Sequence, residues 1–299
     1  MKKDLVLTIL TRYTFRKIEP FFRTLRKTGY SGEIVVFYDI VDKKTLSSIK
    51  KWGVRLIKFN SIKYFNNNIK IVHYRFKLFY ELLKKEGENY NKIFICDIRD
   101  LVFQKDPFDY DGYSKINYFC ENDPINRSNI NSYILKRAGG EDALKKYGDN
   151  LVSCAGTTIG DSNEILKYLK FMSENLVSGN PIDQGQHNFF FYSGKIKESK
   201  CFHNFFGPIL TISNLNKSKI KFDSQGNVIN NDGSIINIIH QYDRNNKLLW
   251  LFNSFNNYIL DVMDYEYISL KRFVKKILFN FPLIKIYFRK KYHNPSEFD

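Results

Sequence analysis

Two aspartates with an arginine between them follow an apolar segment in the first third of the chain. Asp97, Arg99 and Asp100 come directly after the run IFIC at 93–96. In open α/β sheets, ligands bind at the carboxyl ends of strands, where these residues are expected. Two carboxylates about 4 Å apart repel by about 4 kcal/mol at an effective dielectric constant of about 20, and a divalent cation removes that cost. Arg99 could instead neutralise both in a structural ion pair, so the spacing leaves two interpretations open.

A histidine ends a second apolar segment much later in the chain. His240 closes the run IIH and is followed by QYDR, which includes Asp243. Imidazole and carboxylate together suit Mn²⁺ or a similar ion. The alternative is a histidine packed at a strand end and hydrogen-bonded to Asp243. Both interpretations stay open at this stage.

The segment DQGQHN at 183–188 contains a candidate acid–base pair. Asp183 follows a proline and either caps a short aromatic helix or acts as a base over a pocket, with Gln184 beside it. His187 is expected in the core. Local sequence does not separate the two interpretations of Asp183.

Two further segments are candidates for binding a nucleotide. Arg75 and Lys77 lie on a predicted helix before the aspartate pair and could reach a pyrophosphate, although Lys77 is expected at the surface. Thr11, Arg12 and Tyr13 follow the first predicted strand, where an α/β fold usually has a base- or ribose-binding loop. The motifs G-x-G-x-x-G and G-x-x-x-x-G-K-[ST] are both absent, which argues against dinucleotide oxidoreductases and P-loop NTPases.

These candidates must be positioned by alternating strands and helices. Short β-branched segments alternate with helical patterns through the first hundred residues, which predicts right-handed α/β units with a parallel sheet. The predicted strands there are 4–10, 33–39, 54–59 and 92–98, and the predicted helices are 16–27, 43–52 and 69–85. Later predictions are a strand at 115–122, a loop at 122–132, a helix at 133–147 broken at its two glycines, a strand plus turn at 150–160, a helix to 176, an aromatic helix within 181–194 and a hairpin at 220–244.

Composition favours a folded protein with an anionic partner. Of 299 residues, 43% are hydrophobic, which excludes general disorder. The net charge of +16 favours nucleic acid, phosphorylated molecules or an acidic membrane. The basic, amphipathic stretch 270–293 could lie on an anionic membrane or dock on the core.

Cysteine usage and the absence of targeting signals indicate the compartment. Cys96, Cys120 and Cys154 are flanked by apolar or small residues, as buried free thiols are, although one disulfide remains an alternative. No signal peptide and no apolar stretch of about 18 residues is evident. We therefore expect a cytoplasmic protein, peripheral on the inner face of a membrane if the basic stretch binds lipid.

The order of these motifs resembles that of nucleotide-sugar-dependent glycosyltransferases of the GT-A fold. YNKIFICDIRDLVFQKDPF resembles a variant in which D-x-R-D replaces the D-x-D motif, and CAGTTIG, DQGQHN and a final HQYDR follow in the family's order. The resemblance covers residue 4 to about residue 250. It implies an α/β, GT-A-like fold with a Rossmann-type mixed sheet flanked by helices. The pattern of the stretch at 270–293 adds a C-terminal basic amphipathic helical appendage. The implied domains are 1–260, with a nucleotide-sugar half at 1–110 and an acceptor half at 111–260, and the appendage at 261–299.

The resemblance also implies roles for individual residues. Asp97, Asp100 and His240 would bind Mn²⁺ or Mg²⁺. If Leu101 and Val102 align with the family's apolar pair, the second aspartate falls on Arg99, so either Asp100 takes over as ligand or Arg99 replaces part of the cation's charge. Asp183 would be the base of an inverting reaction, and Gln184 would steady the reacting centre of a retaining one. The implied donor-binding residues are Thr11, Arg12, Tyr13, Arg75, Asp97, Arg99 and Gly156.

The implied function is transfer of a hexosyl group from a UDP- or GDP-sugar to a glycan or glycolipid, as in polysaccharide biosynthesis. Three alternatives from other classes remain: a non-catalytic saccharide-binding protein, a nucleic-acid-binding protein, and a metal-dependent phosphoryl-transfer or hydrolytic enzyme. Basic residues outside the C-terminal stretch are dispersed, which argues against nucleic acid as a partner.

Overall fold

The computed structural model describes residues 2–60, 71–175, 183–213 and 215–253, together with the single residues Ile259 and Met263. The chain divides into two compact units, Met1–Leu248 and Leu249–Asp299. All of the candidate residues lie in the first unit. The amphipathic stretch at 270–293 lies outside the described residues, and the division into domains at residue 260 stays a prediction.

Strands and helices alternate along the first unit. The strands are β1 (Lys3–Thr11), β2 (Glu33–Asp39), β3 (Val54–Lys58), β4 (Tyr90–Cys96), β5 (Leu101–Phe103), β6 (Ile116–Pro124), β7 (Leu151–Asp161), β8 (Ser199–His203), β9 (Ile209–Thr211), β10 (Lys221–Phe222), β11 (Val228–Ile229) and β12 (Ile238–His240). The helices are α1 (Phe15–Lys27), α2 (Lys43–Lys50), α3 (Ile71–Glu86), α4 (Asn129–Tyr147), α5 (Ser162–Glu174), α6 (Asp183–Tyr192) and α7 (Asn246–Phe252), the last of which continues into the second unit.

A seven-stranded mixed sheet forms the centre of the fold, in the order β3-β2-β1-β4-β7-β6-β8. The strands from β1 to β4 are parallel, whereas β7 runs antiparallel to both β4 and β6. Successive residues of β1 pack into different hydrophobic clusters, because side chains alternate between the two faces of a strand. Leu5 and Leu7 pack with α3 and α5, and Val6 packs with α1. The predicted α/β fold with a mixed sheet flanked by helices is confirmed.

The hairpin predicted at 220–244 forms around its predicted turn at 231–233, but the end of its returning strand, β12, belongs to a smaller sheet, β5-β12-β9. β10 pairs with β11, and Ile229 forms an antiparallel bridge with Ile235 across the turn at 231–233, whereas β12 pairs with β5 and β9. Ile238 and Ile239 are fully buried in this arrangement. The side-chain amide of Gln104 bonds the backbone of Val228 and Ile236, which holds the hairpin segment against the end of β5. Burial in the three-stranded sheet thus outweighs local pairing.

Two further segments differ from the predictions. The segment predicted as a strand plus turn at 150–160 is one continuous strand, β7, because both of its edges are paired. The loop predicted at 122–132 contains the end of β6 and the start of α4. The predicted break in α4 is confirmed, since Gly140 has a φ of 78°.

The cysteines also differ from the expectation of free thiols. Cys120 on β6 and Cys201 on β8 form a disulfide across 81 residues of sequence, whereas Cys96 and Cys154 are buried free thiols. The pairing depends on β6 and β8 being neighbours, which local sequence does not show. Within the described ranges, none of the helices combines the length and the apolar character needed to cross a bilayer.

Candidate functional site

The candidate site lies where the carboxyl end of β4 meets the smaller sheet. The Asp97 backbone N–H donates to the Gly156 carbonyl at 3.0 Å, which joins the end of β4 to β7. The Asp100 carbonyl accepts from the Gln241 N–H at 2.6 Å, and His240 pairs with Leu101 between β12 and β5. These contacts bring side chains about 140 positions apart in sequence to one place.

Asp97, Asp100 and His240 form a group suited to a metal ion. Their ligand atoms lie within 4.8 Å of one another, and Nε2 of His240 is 3.7 Å from both Oδ2 of Asp97 and Oδ1 of Asp100. That nitrogen is buried and has no hydrogen-bond partner among the described residues. Two carboxylates and one imidazole are the donors that Mn²⁺ and related ions accept. The residues present therefore fit the predicted ion.

The charges of this group depend on their neighbours. Burial raises the pKa of Asp97, but the Arg75 guanidinium and His240 outweigh it, so the pKa of this carboxyl lies below its ordinary value. Burial lowers the pKa of His240, but Cys154 and the two carboxylates outweigh it and raise the pKa well above the ordinary value. The Cys154 Sγ lies 3.6 Å from Nδ1 of His240. Cys154 thus contacts the ring on the side away from the carboxylates.

Arg75 on α3 is buried beneath the site. Only 4% of the residue is exposed, and its Nη1 donates to Oδ1 of Asp97 at 2.5 Å. Nη2 donates to the Ala155 carbonyl at 3.2 Å and lies 3.5 Å from Asp183. The guanidinium is therefore occupied by protein groups and acts on the site through Asp97. Its predicted contact with a pyrophosphate stays a prediction.

Arg99 forms ion pairs with Asp100 and with Asp243 beside the candidate metal-binding group. It donates to Asp243 at 2.7 Å and to Asp100 at 3.2 Å. Asp243 therefore pairs with Arg99. The alternative interpretation of the sequence, a hydrogen bond between Asp243 and His240, is not what the structure places there, since the two ring nitrogens face Cys154 and the carboxylates. Burial raises the pKa of Tyr13, and the nearby positive charge of Arg99 opposes that shift. Tyr13 thus faces the same charged cluster.

Gly156 leaves the space between two members of the group. A Cβ atom at this position would lie 2.6 Å from Oδ2 of Asp97 and 2.8 Å from Cε1 of His240. Both distances are far inside van der Waals contact. The carboxylate of Asp97 and the imidazole of His240 thus leave no space for a side chain at this position. The donor-binding role of Gly156 stays a prediction.

Helix α6 places Asp183 and Gln184 against β7. The Gln184 side chain accepts from the Ala155 N–H at 2.9 Å and donates to the Ser153 carbonyl at 2.5 Å. Asp183 lies near Arg75, as described above, and 4.0 Å from Nε2 of His73. The amide of Gln184 is thus engaged by backbone, while Asp183 remains partly exposed with 16% of its side chain accessible.

His187 is buried one turn further along α6, as expected. Its ring nitrogens lie 2.8 Å from the Ser153 hydroxyl and 2.8 Å from the Tyr168 hydroxyl. Burial lowers the pKa of His187 to about 3, and Arg75 lowers it further. The neutral ring joins α6 to β7 and α5, which fixes the helix that carries Asp183.

The predicted nucleotide-binding loop follows β1. Thr11 pairs with Asp39 at the carboxyl ends of β1 and β2. Arg12 is exposed, has a φ of 57°, and its N–H donates to the Ile40 carbonyl. Tyr13 alone of the three has a described electrostatic interaction with the acidic group.

The structure brings together most residues that the sequence singled out. The cluster joins Tyr13, Arg75, Asp97, Arg99, Asp100, Gly156, Asp183 and His240. Lys77 is exposed, as expected. Cys154 and the Ala155 carbonyl were missed as site groups. No sequence signal marks the first as a neighbour of His240, and a backbone carbonyl leaves no signal at all.

Comparison with known proteins finds a structural likeness and no sequence likeness. No protein-family model matches the chain, and no curated protein matches its sequence. Among solved structures the chain is similar to a galactosyltransferase. That protein is LgtC, in complex with donor and acceptor sugar analogues; the identity is 14%, the TM-score is 0.47, and the likeness covers 79% of this chain and 86% of that chain.

Proposed function

We propose that the protein is a glycosyltransferase that moves a sugar from a nucleotide-sugar donor to a saccharide acceptor with the help of a divalent metal ion. One observation carries this proposal: Asp97, Asp100 and His240 converge at the carboxyl end of β4, with the buried Nε2 of His240 facing both carboxylates without a hydrogen-bond partner among the described residues. Open α/β sheets bind ligands at this edge. The order of motifs in the sequence supports the donor class.

In this proposal Asp97, Asp100 and His240 hold Mn²⁺ or Mg²⁺. Such an ion, when bound, neutralises the diphosphate as negative charge develops on the leaving group. Arg75 holds the Asp97 carboxylate in place from below and keeps it ionised. Arg99 adds positive charge beside Asp100, and Gly156 leaves room between the ligands.

The remaining roles follow from position. The loop of Thr11, Arg12 and Tyr13 adjoins the carboxyl end of β1 and is proposed to hold the nucleoside of a UDP- or GDP-sugar. Asp183 offers a partly exposed carboxylate for the acceptor hydroxyl if the reaction inverts the anomeric centre. Gln184 supports this placement through its two bonds to β7. The proposed acceptor is a glycan or glycolipid, and the proposed location is an anionic membrane surface if the basic stretch binds lipid. The disulfide between Cys120 and Cys201 removes the free-thiol argument for a cytoplasmic location.

The proposal is tested by the thermal stability of the protein with nucleoside diphosphates and nucleotide sugars, with and without Mn²⁺. A ligand that binds only the folded state at 100 times its Kd adds about 2.7 kcal/mol to the free energy of unfolding. We expect a metal-dependent increase in Tm with one nucleobase. Hydrolysis of the matching nucleotide sugar would then be measured to show donor activation.

A pair of variants assigns the result to the site. Asp100→Ala should abolish the metal-dependent increase while the protein stays folded. Asp142→Ala is the control, because the side chain of Asp142 is fully exposed on α4. A metal-dependent increase retained in Asp100→Ala, or no increase with any nucleotide at millimolar concentration, would contradict the proposal.

A further inference from the structure

A second concave surface lies near the candidate site, at the carboxyl ends of β6 and β8. Its volume is about 550 Å³, within the range of about 300–1,000 Å³ that is usual for small-molecule sites. The lining residues combine amides, aromatic rings and basic side chains. They are Asn122, Leu151, His203, Asn204, Phe205, Phe206, Lys219, Lys221 and Asn231.

This pocket is connected to His240 by hydrogen bonds and strand pairing. Asn204 is only 5% exposed, and its side chain holds both backbone groups of Thr211, accepting at 2.8 Å and donating at 2.9 Å. Thr211 is the partner of His240 in the parallel pairing of β9 with β12. Neighbouring strands are about 4.8 Å apart. Asn204 in the pocket wall is therefore linked to His240, the proposed metal ligand, through the single intervening residue Thr211.

A turn at the pocket contains two phenylalanines, and the second of them, Phe206, exposes its aromatic ring. Phe205 has a φ of 67°, a conformation that glycine usually occupies, in a turn closed by a bond from the Phe206 N–H to the His203 carbonyl. Phe205 is buried, whereas 68% of Phe206 is exposed. The electron-rich face of an aromatic ring attracts the weakly positive C–H groups that line one face of a sugar ring.

The charge of the pocket is positive. Lys219 and Lys221 are exposed at its wall, and no aspartate or glutamate is among the described residues that line it. In the part of the chain that the structure describes, neither lysine has an ion-pair partner. A lysine ammonium binds carboxylate or phosphate as a point charge. Asn122 and Asn231 add exposed amides that match sugar hydroxyls.

We propose that this pocket binds a saccharide unit that carries a carboxylate or a phosphate, as part of an acidic acceptor. The role as acceptor subsite rests on the proposed glycosyltransferase function, whereas binding itself does not. A single exposed ring in a concave pocket suits one sugar unit. Single-stranded nucleic acid instead requires a row of aromatic platforms along a groove.

The test is calorimetric binding to the full-length protein without nucleotide and without metal. The probes are a galacturonic acid trimer, its neutral galactose counterpart, mannose 6-phosphate and a thymidine hexanucleotide. We expect the acidic trimer to bind at least tenfold more tightly than the neutral one. The phosphate probe distinguishes phosphate recognition from carboxylate recognition, and binding of either acidic probe supports the proposal. Tighter binding of the hexanucleotide than of both acidic sugars would overturn it.

Variants assign binding to the pocket. The double variant Lys219→Ala with Lys221→Ala should weaken binding of the acidic probe about tenfold. This factor is expected because the variant removes the two positive charges that would form charge-assisted contacts with the acidic group. Lys43→Ala with Lys44→Ala is the control, because it removes the same charge from two exposed lysines on α2. Equal losses in the two double variants, or no binding of either acidic probe to the unmodified protein, would refute the proposal.

A second comparison separates the contribution of the ring from that of charge. Phe206→Ala should weaken the acidic and neutral trimers alike, and Tyr133→Ala, an exposed aromatic on α4, should change neither. An unchanged affinity in Phe206→Ala would contradict the proposed stacking. Because Phe206 and the two lysines lie outside the metal-binding group, the metal-dependent increase in Tm with nucleotide should persist in these variants. A failure of the pocket proposal is thereby distinguishable from a failure of the proposed transferase.

Discussion

Replacing Arg75 by methionine tests the electrostatic design of the site most directly. The change keeps the aliphatic stem but leaves the carboxylates of Asp97 and Asp183 without the buried cation that contacts both. At an effective dielectric constant of about 20, the contact with Asp97 at 2.5 Å contributes about 7 kcal/mol of Coulomb attraction and the contact with Asp183 at 3.5 Å about 5 kcal/mol. Most of this is offset by the cost of burying the charges. Removing one partner of a buried pair typically costs about 3–5 kcal/mol, and solvent screening at the Asp97 side chain, which is 39% exposed, places the expected loss at the lower end of that range. We expect a loss of that size in urea unfolding at neutral pH without metal.

Arg55 provides the matched control for this measurement. It also forms a two-point ion pair, with Glu86 at 2.6 and 2.8 Å, but 41% of its side chain is exposed. Exposed pairs of this kind contribute about 1 kcal/mol or less, so Arg55→Met should have little effect. Equal losses in the two variants, or a loss below about 1 kcal/mol for Arg75→Met, would refute the reasoning that burial determines the contribution of Arg75. Mn²⁺ should restore part of the stability of Arg75→Met, because a bound cation again neutralises Asp97.

Three further predictions concern the glycine, the histidine and the disulfide. Gly156→Ala should lose the Mn²⁺-dependent increase in Tm, because the added methyl overlaps Asp97 and His240. Without metal, the free energy of unfolding should fall by about 1–3 kcal/mol. An undiminished increase in Tm would contradict the assigned geometry. His187 binds a proton below about pH 6.5 in the unfolded state but only near pH 3 in the folded state, so the free energy of unfolding should fall by up to about 1.4 kcal/mol per pH unit between pH 6 and 4. His187→Gln should show a shallower slope, and an unchanged slope would exclude His187 as its source. Cys120→Ser with Cys201→Ser should lower the free energy of unfolding by about 2–4 kcal/mol without reductant, and parent and variant should agree once the parent is reduced with dithiothreitol.

Much of the fold was predictable because its information is local. Strands such as β1 and β4 are buried on both faces, so their sequences are continuous apolar runs, and α3 carries its apolar residues at helical spacing. The break in α4 followed from two adjacent glycines. By contrast, the pairing of β12 with β5 and β9 and the disulfide between β6 and β8 depend on neighbours more than 25 residues away, for which local propensity carries no signal.

The candidate site also combines features that were predictable from the sequence with features that were not. The residue types of the site could be read from the sequence: two aspartates after a strand, a histidine at the end of another strand, and a helix beginning near Asp183. The sequence left open whether Asp100 or Arg99 lies with Asp97 and whether His240 pairs with Asp243. These contacts follow from the three-dimensional fold, because the neighbours of a side chain at a strand end depend on which strands meet there. It placed Asp100 with Asp97 and His240, paired Arg99 with Asp243, and buried Arg75 beneath them.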